Sequence, residues 1–176
     1  MSQTYSTQNG LLLQKLLKFY TMENIEYILP IINGESRYSL RLIDWFVTNY
    51  AKKNFVIYQI NGKRFKVYEN YKLKLKAYSK KRFDPFCRWE RITIPYNESY
   101  QIQTTIGQLN FFKWILENKI IDYISQNISQ IERDMNKRNS SSKNKKDKRR
   151  KKREELSISA TKSIKKENVE IIIQFN

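Results

Sequence analysis

The chain has 176 residues, a formal net charge of +17 and 40% apolar residues, which suits one domain and excludes a wholly disordered chain. It has no histidine and one cysteine, Cys87, which excludes His-dependent triads, HExxH metal helices and four-cysteine zinc sites. The four isolated glycines exclude a glycine-rich phosphate loop, and no apolar run approaches the ~18 residues of a membrane span.

The N-terminal part of the chain has the pattern of short amphipathic helices. Leucines at helical spacing predict a helix over residues 11–20. A second helix is predicted over residues 23–32, where Pro30 should disturb it, because proline lacks the N–H that the helix ladder needs. The Asn-Gly pair at 33–34 is expected to end it.

A third predicted helix leads into a β-hairpin. Ser36 or Ser39 is expected to cap a helix that spans about residues 40–54. β-formers over residues 55–68 then flank the pair Asn61-Gly62, the strongest short-range signal for a hairpin.

The next segment fits two types of element. Residues 69–82 alternate in part as a strand would, but their length and their Lys, Leu and Glu content favour a helix. Asp84-Pro85 is expected to break that helix, and residues 91–95 have the composition of a strand.

A long helix is predicted over residues 105–136. Thr105 and Gln108 match a capping box at its start, and Asn118 is expected to mark a bend. The apolar residues 169–175 are predicted to form a strand that returns to pair with the domain.

These elements predict an α+β fold with N-terminal helices, a central hairpin, a long helix and a C-terminal strand. The predicted organisation is a compact domain over residues 1–136, a disordered polybasic segment over 137–155 and a returning strand within 156–176.

The excess charge lies in two segments. Residues 63–91 carry eleven basic and three acidic groups, and residues 137–153 carry eleven basic groups and one acidic group. Such clusters favour polyanionic partners, because Lys and Arg displace the counterions that surround phosphates. The residues predicted to bind nucleic acid are Lys72, Lys74, Lys76, Lys80, Lys81, Arg82, Lys143, Lys145, Lys146, Lys148, Arg149, Arg150, Lys151, Lys152 and Arg153.

The two basic segments differ in kind. Residues 137–153 contain no apolar residue, so they are expected to act as an electrostatic clamp, as a nuclear import signal or only as a solvated spacer. In residues 63–91 aromatic side chains alternate with the charges. These rings either stack on bases while Lys and Arg hold phosphates, or belong to the core, and burial is the commoner fate of aromatics in a compact domain.

Catalysis is not expected. A metal nuclease needs clustered carboxylates, often followed by a lysine. The nearest candidates are Asp84 and Glu90, but Glu90 is followed by Arg91 and Ile92 and not by that lysine. Each carboxylate is explained more simply as a partner for its basic neighbours. Cys87 has no histidine base to assist it, so it is interpreted as a structural thiol. No cofactor and no metal site are predicted.

Three stretches carry a family resemblance, namely residues 43–50 (IDWFVTNY), 78–88 (YSKKRFDPFCR) and 104–112 (TTIGQLNFF). The basic run that leads into residues 155–160 (ELSISA) agrees with it. Together they resemble uncharacterised proteins of giant nucleocytoplasmic large DNA viruses of the mimivirus-like kind. The resemblance covers most of residues 38–176. It implies a viral setting, and it carries no functional residue over.

Two functions remain open at this point. The first is a non-enzymatic nucleic-acid-binding protein for genome packaging, genome organisation or viral transcription, with DNA favoured over RNA. The second is a structural virion or scaffold protein, whose basic residues would bind an acidic protein or an anionic membrane surface. Either function would place the chain inside the host cell, in the viral factory or the nucleus, and in the virion. The sequence gives no oligomeric state.

Overall fold

The structure, a computed structural model, describes residues 7–87, 89, 91–97, 100–144 and 166–168. It has an α+β fold, as predicted. The helical elements are α1 (Gln8–Phe19), α2 (Met22–Asn33), α3 (Leu40–Trp45), a π-helical turn (Phe46–Tyr50), α4 (Ala51–Lys53), α5 (Val67–Phe83), α6 (Ile106–Glu117) and α7 (Ile120–Asn144). The strands are β1 (Ile57–Ile60), β2 (Lys63–Lys66), β3 (Arg91–Asn97), β4 (Tyr100–Thr105) and β5 (Lys166–Asn168).

The N-terminal helices begin at hydroxyl caps. Thr7 and Thr21 accept hydrogen bonds from backbone N–H groups in the first turns of α1 and α2, and Ser39 does so for α3. Of the two candidate caps for the third helix, Ser39 is therefore the one used. Gly34 ends α2 in the left-handed conformation with φ of 74°, as the Asn-Gly pair predicted.

Pro30 does not interrupt α2, contrary to the expected disturbance. It lies in the last turn of the helix, so the one backbone donor that it lacks is lost where the helix continues only to Asn33. Its carbonyl accepts backbone hydrogen bonds from Glu35 and Ser36 at 2.8 and 3.1 Å. These bonds close the end of the helix.

The predicted hairpin is confirmed, with shorter strands than the range 55–68. Strands β1 and β2 pair antiparallel, with Ile57 opposite Lys66 and Ile60 opposite Lys63. Asn61 and Gly62 connect them with φ of 50° and 76°, the positive values that a two-residue turn of this type requires. The segment 69–82, which suited two elements, is part of helix α5.

The predicted strand over 91–95 is confirmed as β3 and extends to Asn97. It pairs antiparallel with β4, which the sequence analysis missed, and β4 pairs antiparallel with β5. Strand β5, at Lys166–Asn168, lies just before the range 169–175 in which the C-terminal strand was predicted. The predicted strand over 169–175 lies outside the described residues.

The predicted long helix is two helices. Helix α6 begins at the predicted cap Thr105, whose hydroxyl accepts the N–H of Gln108 at 3.1 Å. It ends at Glu117 with Asn118, the expected position of a bend, as its C-cap. Lys119 then has φ of 52°, a left-handed conformation that a continuous helix cannot contain. Helix α7 continues to Asn144, so the predicted domain limit at residue 136 falls inside a helix.

The core lies between α5, α6 and the N-terminal helices. Trp114 of α6 is only 2% exposed, and its ring centroid lies 5.7 to 6.3 Å from those of four other aromatic residues. These residues are Phe65, Tyr71, Phe83 and Phe111. Such aromatic packing holds the inner face of α5 and leaves its other face to solvent.

Candidate nucleic-acid interface

Helix α5 positions the predicted lysines of the folded domain. It buries Val67, Tyr71 and Phe83. Three basic residues in its last turn suit the negative end of the helix dipole, and Glu69 suits the positive end. The helix is interrupted at Ser79, which has φ of 64° and ψ of 168°.

The α5 lysine group comprises five of the predicted site residues. Lys72, Lys76, Lys80 and Lys81 are exposed, and Lys74 is half-buried. Among the described residues, the ion pairs are Lys53–Asp134, Lys66–Glu69, Lys113–Glu117 and Arg138–Asp134, and none includes a lysine of this group. The α5 lysine group therefore presents positive charge that no carboxylate in the described part of the chain neutralises.

Two lysines of the group contact aromatic rings. The Nζ of Lys81 lies 4.8 Å from the centroid of the Trp89 ring, and that of Lys74 lies 5.9 Å from the centroid of Tyr78. Cation–π contacts of this kind contribute about 0.5–1 kcal/mol at exposed sites and leave the ammonium free to bind a phosphate as well.

Arg82 differs from the lysines beside it. Its Nε donates to Oδ1 of Asn9 at 2.6 Å, and its Nη1 donates to Oε1 of Gln8 at 3.2 Å. The guanidinium therefore ties α5 to the start of α1. A phosphate at Arg82 would have to compete with these two amide oxygens.

The remaining predicted residues lie toward the C-terminus. Lys143 lies in the last turn of α7. The other eight, from Lys145 to Arg153, lie outside the described residues.

Three of the seven aromatic residues of the first basic segment are buried in the core. Phe65, Tyr71 and Phe83 are buried in the cluster around Trp114, and bases therefore cannot reach them. Burial, followed by the charges of Asp44 and Asp84, raises the pKa of the Tyr71 phenol, which keeps it protonated. Tyr68, Tyr78, Phe86 and Trp89 are half-buried.

Phe55 has an exposed position that the sequence did not predict. It was expected to start a strand, but β1 begins at Ile57, and the side chain of Phe55 is 82% exposed with a backbone φ of 48°. The polar run Lys52-Lys53-Asn54 before it was the only local signal of exposure. An apolar residue beside a β-forming run is otherwise expected to point inward.

Asp84, one of the two carboxylates that the sequence offered for a metal nuclease site, has a structural role. Oδ1 of Asp84 accepts the backbone N–H of Phe86 at 2.9 Å, which closes the turn after α5. Glu90 lies outside the described residues. The described ranges contain no cluster of three Cys, Asp or Glu side chains that could hold a metal ion. No helix in those ranges is both long enough and apolar enough to cross a bilayer.

The comparison with protein families decides where this chain belongs. A model described as a family of unknown function, DUF7197, matches residues 2–176. The chain belongs to the DUF7197 family.

A relative confirms the giant-virus resemblance of this DUF7197 chain. It is 44% identical over 144 residues to uncharacterized protein L507 of Acanthamoeba polyphaga mimivirus. That match covers 75% of the DUF7197 chain and 55% of the mimivirus protein, so the chain spans about half the length of its relative. No solved structure matches it.

Proposed function

We propose that this DUF7197 chain is a non-enzymatic nucleic-acid-binding protein of a giant virus, which acts in genome packaging, genome organisation or viral transcription. The observation that carries the proposal is the α5 lysine group, whose side chains form no ion pair within the described residues. The basic residues 145–153 of the sequence add a second set of cations. The viral factory or nucleus of the host and the virion are the locations that go with this function.

The physical argument is electrostatic. Each lysine that neutralises a phosphate releases a condensed counterion, so affinity is supported by the entropy of the released ions and falls steeply with salt. The α5 lysine group is held on a helix that is packed against the aromatic core, so these charges are already positioned. The phosphate contacts of such a surface set affinity and orientation without reading sequence.

The test is a salt series with duplex DNA, measured by fluorescence anisotropy on the full chain. If six to ten phosphates are engaged, affinity should fall roughly 10³–10⁵-fold between 50 and 200 mM salt. Replacing residues 145–153 by a neutral Gly/Ser linker should remove most of the affinity. This replacement leaves α7 intact, including Arg138, which contacts Asp134.

A charge-matched pair of variants tests the α5 lysine group. The variant Lys72→Gln/Lys76→Gln/Lys80→Gln should reduce the slope of log K against log salt by about one for each lysine in contact with a phosphate. The control variant Lys15→Gln/Lys18→Gln/Arg41→Gln removes the same charge from exposed positions on α1 and α3, and it should leave the slope nearly unchanged. Equal effects of the two variants would show that only net charge matters.

A parallel sedimentation assay with anionic vesicles distinguishes nucleic-acid binding from the alternative function, a structural protein. Binding to vesicles without binding to DNA or RNA would contradict the proposal and support a structural protein that meets a membrane surface.

A further inference from the structure

An exposed groove lies where α4, β1 and the start of α5 meet. It has a volume of about 430 Å³, and its lining includes Lys52, Phe55, Lys66, Tyr68 and Glu69. This volume is within the range of about 300–1,000 Å³ that is typical of small-ligand sites. A second groove along α5 shares Tyr68 and Glu69 with it and adds Lys72, Leu73 and Lys76.

Phe55 is held outward at one edge of this groove. The residue before it and the residue after it are both anchored, because the N–H of Asn54 donates to Tyr50 O at 3.0 Å and that of Val56 donates to Ala51 O at 3.2 Å. Val56 is buried, and its carbonyl accepts the N–H of Val67 at 3.2 Å. The backbone on both sides therefore directs the Phe55 ring into solvent.

This placement has a cost. Positive φ is disfavoured for an L-residue other than glycine, and an exposed phenylalanine forgoes the stabilisation that burial of its ring would give. A conformation that is strained and also exposes an apolar ring points to a ligand that would cover the ring.

The charges around the grooves indicate the class of ligand. Four lysines and one glutamate line the two grooves together. Glu69 is paired with Lys66, with 3.1 Å between Nζ and Oε2, so its charge is neutralised. Nζ of Lys52 lies 5.6 Å from the centroid of the Tyr68 ring. A flat ring surrounded by lysines matches a base flanked by phosphates.

We propose that this groove binds single-stranded nucleic acid, with an unpaired base stacked on Phe55 and lysines on the flanking phosphates. The inference rests on the proposed function and narrows its substrate class. A duplex cannot use the ring, because its bases are already stacked on one another, whereas the splayed bases of a single strand offer their faces to aromatic side chains.

The test compares a fluorescein-labelled oligothymidylate of about fifteen nucleotides with a duplex of equal length on the full chain. Phe55→Ala should weaken binding of the single strand about 5- to 150-fold, because one stacked base contributes about 1–3 kcal/mol. Binding of the duplex should change less than about twofold. Phe55→Trp should restore the single-strand affinity, since tryptophan also offers a flat ring.

Tyr27→Ala is the matched control. Tyr27 is another exposed aromatic residue, 49% exposed on α2, and its removal should affect neither ligand. A thermal melt of each variant shows that it folds. Cross-linking of an iodouracil-substituted single strand to the wild-type chain gives a measurement that needs no variant, and the attached peptide should contain Phe55 or Tyr68.

The outcomes separate this inference from the proposed function. If the duplex binds in a salt-dependent way while Phe55→Ala weakens both ligands equally or neither, the groove inference is wrong and the proposed function stands. If neither ligand binds, the proposed function fails. If the single strand does not bind, and an acidic amphipathic peptide binds tightly to the wild type at Phe55, the groove is instead a site for a protein partner.

Discussion

The indole N–H of Trp45 donates to Oδ2 of Asp134 at 3.2 Å, which joins α3 to α7 across 89 positions of the chain. Oδ1 of the same carboxylate accepts Nζ of Lys53 at 3.0 Å, and Nε of Arg138 lies 3.8 Å from Oδ2. Burial alone would raise the pKa of Asp134, but the hydrogen bonds from Lys53 and Trp45 and the two positive charges hold it below its usual value. Asp134 is therefore contacted by side chains from α3, from α4 and from its own helix α7.

Replacing this carboxylate should destabilise the fold. Asp134→Ala leaves the half-buried indole N–H of Trp45 without its acceptor and should lower the free energy of unfolding by about 1–3 kcal/mol, as measured by urea denaturation. Glu132→Ala, two residues earlier on α7, removes a carboxylate that makes no ion pair in the described ranges and should cost less than about 0.5 kcal/mol. Similar losses in both variants would contradict the convergence on Asp134.

The pH dependence of this effect follows from the lowered pKa. A carboxylate whose pKa is lower in the folded chain contributes stability above its unfolded value, about 3.9, and loses it as the pH falls through the folded value. The difference between wild type and Asp134→Ala should therefore be full at pH 7 and shrink in strong acid.

Gly107 is a position where the packing of α6 on α5 leaves no room for a side chain. A Cβ there would lie 3.0 Å from the backbone oxygens of Lys81 and Asp84. Nδ2 of Asn110, one turn later, donates to the carbonyl oxygen of Arg82 at 2.8 Å, which keeps the two backbones close. Exchange of glycine for alanine usually stabilises a helix by about 0.5–1 kcal/mol.

Gly107→Ala should have the opposite sign. The backbone of α5 has to move away from the new methyl group, and overpacking of this kind costs about 1–3 kcal/mol. Urea denaturation measures the loss. A variant as stable as the wild type would mean that the two helices separate at no cost.

The signals that correctly predicted structure were those with a local cause. Asn61-Gly62 predicted the hairpin because both residues adopt positive φ easily, and Thr105 predicted the start of α6 because its hydroxyl accepts the N–H of Gln108. Strand β4 was not predicted, because only Tyr100 and Ile102 stand out as apolar among its Gln and Thr residues and the alternation is too short to recognise. Its pairing with β3 is a tertiary contact that the local sequence does not indicate.

The candidate site was predictable only in part. Lysine side chains are mostly exposed in folded proteins, so the exposure of four of the five lysines of the α5 group could be predicted from the sequence. The contacts of Arg82 with Gln8 and Asn9 join residues far apart in the chain, and nothing local indicates them. Phe55 was missed for a different reason, because its outward position depends on a positive φ that favours glycine or asparagine.

Asp44 should make the fold less stable at neutral pH than in mild acid. Burial, and secondarily the negative charge of Asp84, raises the pKa of Asp44 from 3.8 to about 6. The folded chain therefore binds more protons than the unfolded chain between these values. For this group the free energy of unfolding falls as the pH rises through that window, and it stays lower above it.

Asp44→Asn removes this penalty. The variant should gain about 1–3 kcal/mol at pH 7 relative to wild type, and little at about pH 4, where Asp44 is already largely protonated in the folded chain. Urea denaturation at a series of pH values measures the difference, with Glu35→Gln as a control at an exposed position. Parallel curves for wild type and Asp44→Asn between about pH 4 and pH 6 would contradict the assignment.

At Lys119 the backbone leaves the helical conformation, so the one helix predicted over residues 105–136 is two helices, α6 and α7. Its φ of 52° is the left-handed conformation that usually follows the end of a helix, and its N–H donates to Leu116 O at 3.2 Å. Glycine is the usual residue there because it has no Cβ to clash, whereas lysine is strained.

Lys119→Gly should therefore stabilise the fold by about 0.5–1 kcal/mol, because relief of about 1–2 kcal/mol of strain outweighs the greater freedom of glycine in the unfolded chain. Lys119→Ala is the control, since it removes the same charge and the same long side chain but keeps the Cβ, and it should give no gain. If both variants gained equally, loss of the charge and not relief of the backbone would be the cause. If neither gained, the turn between α6 and α7 would hold lysine without strain.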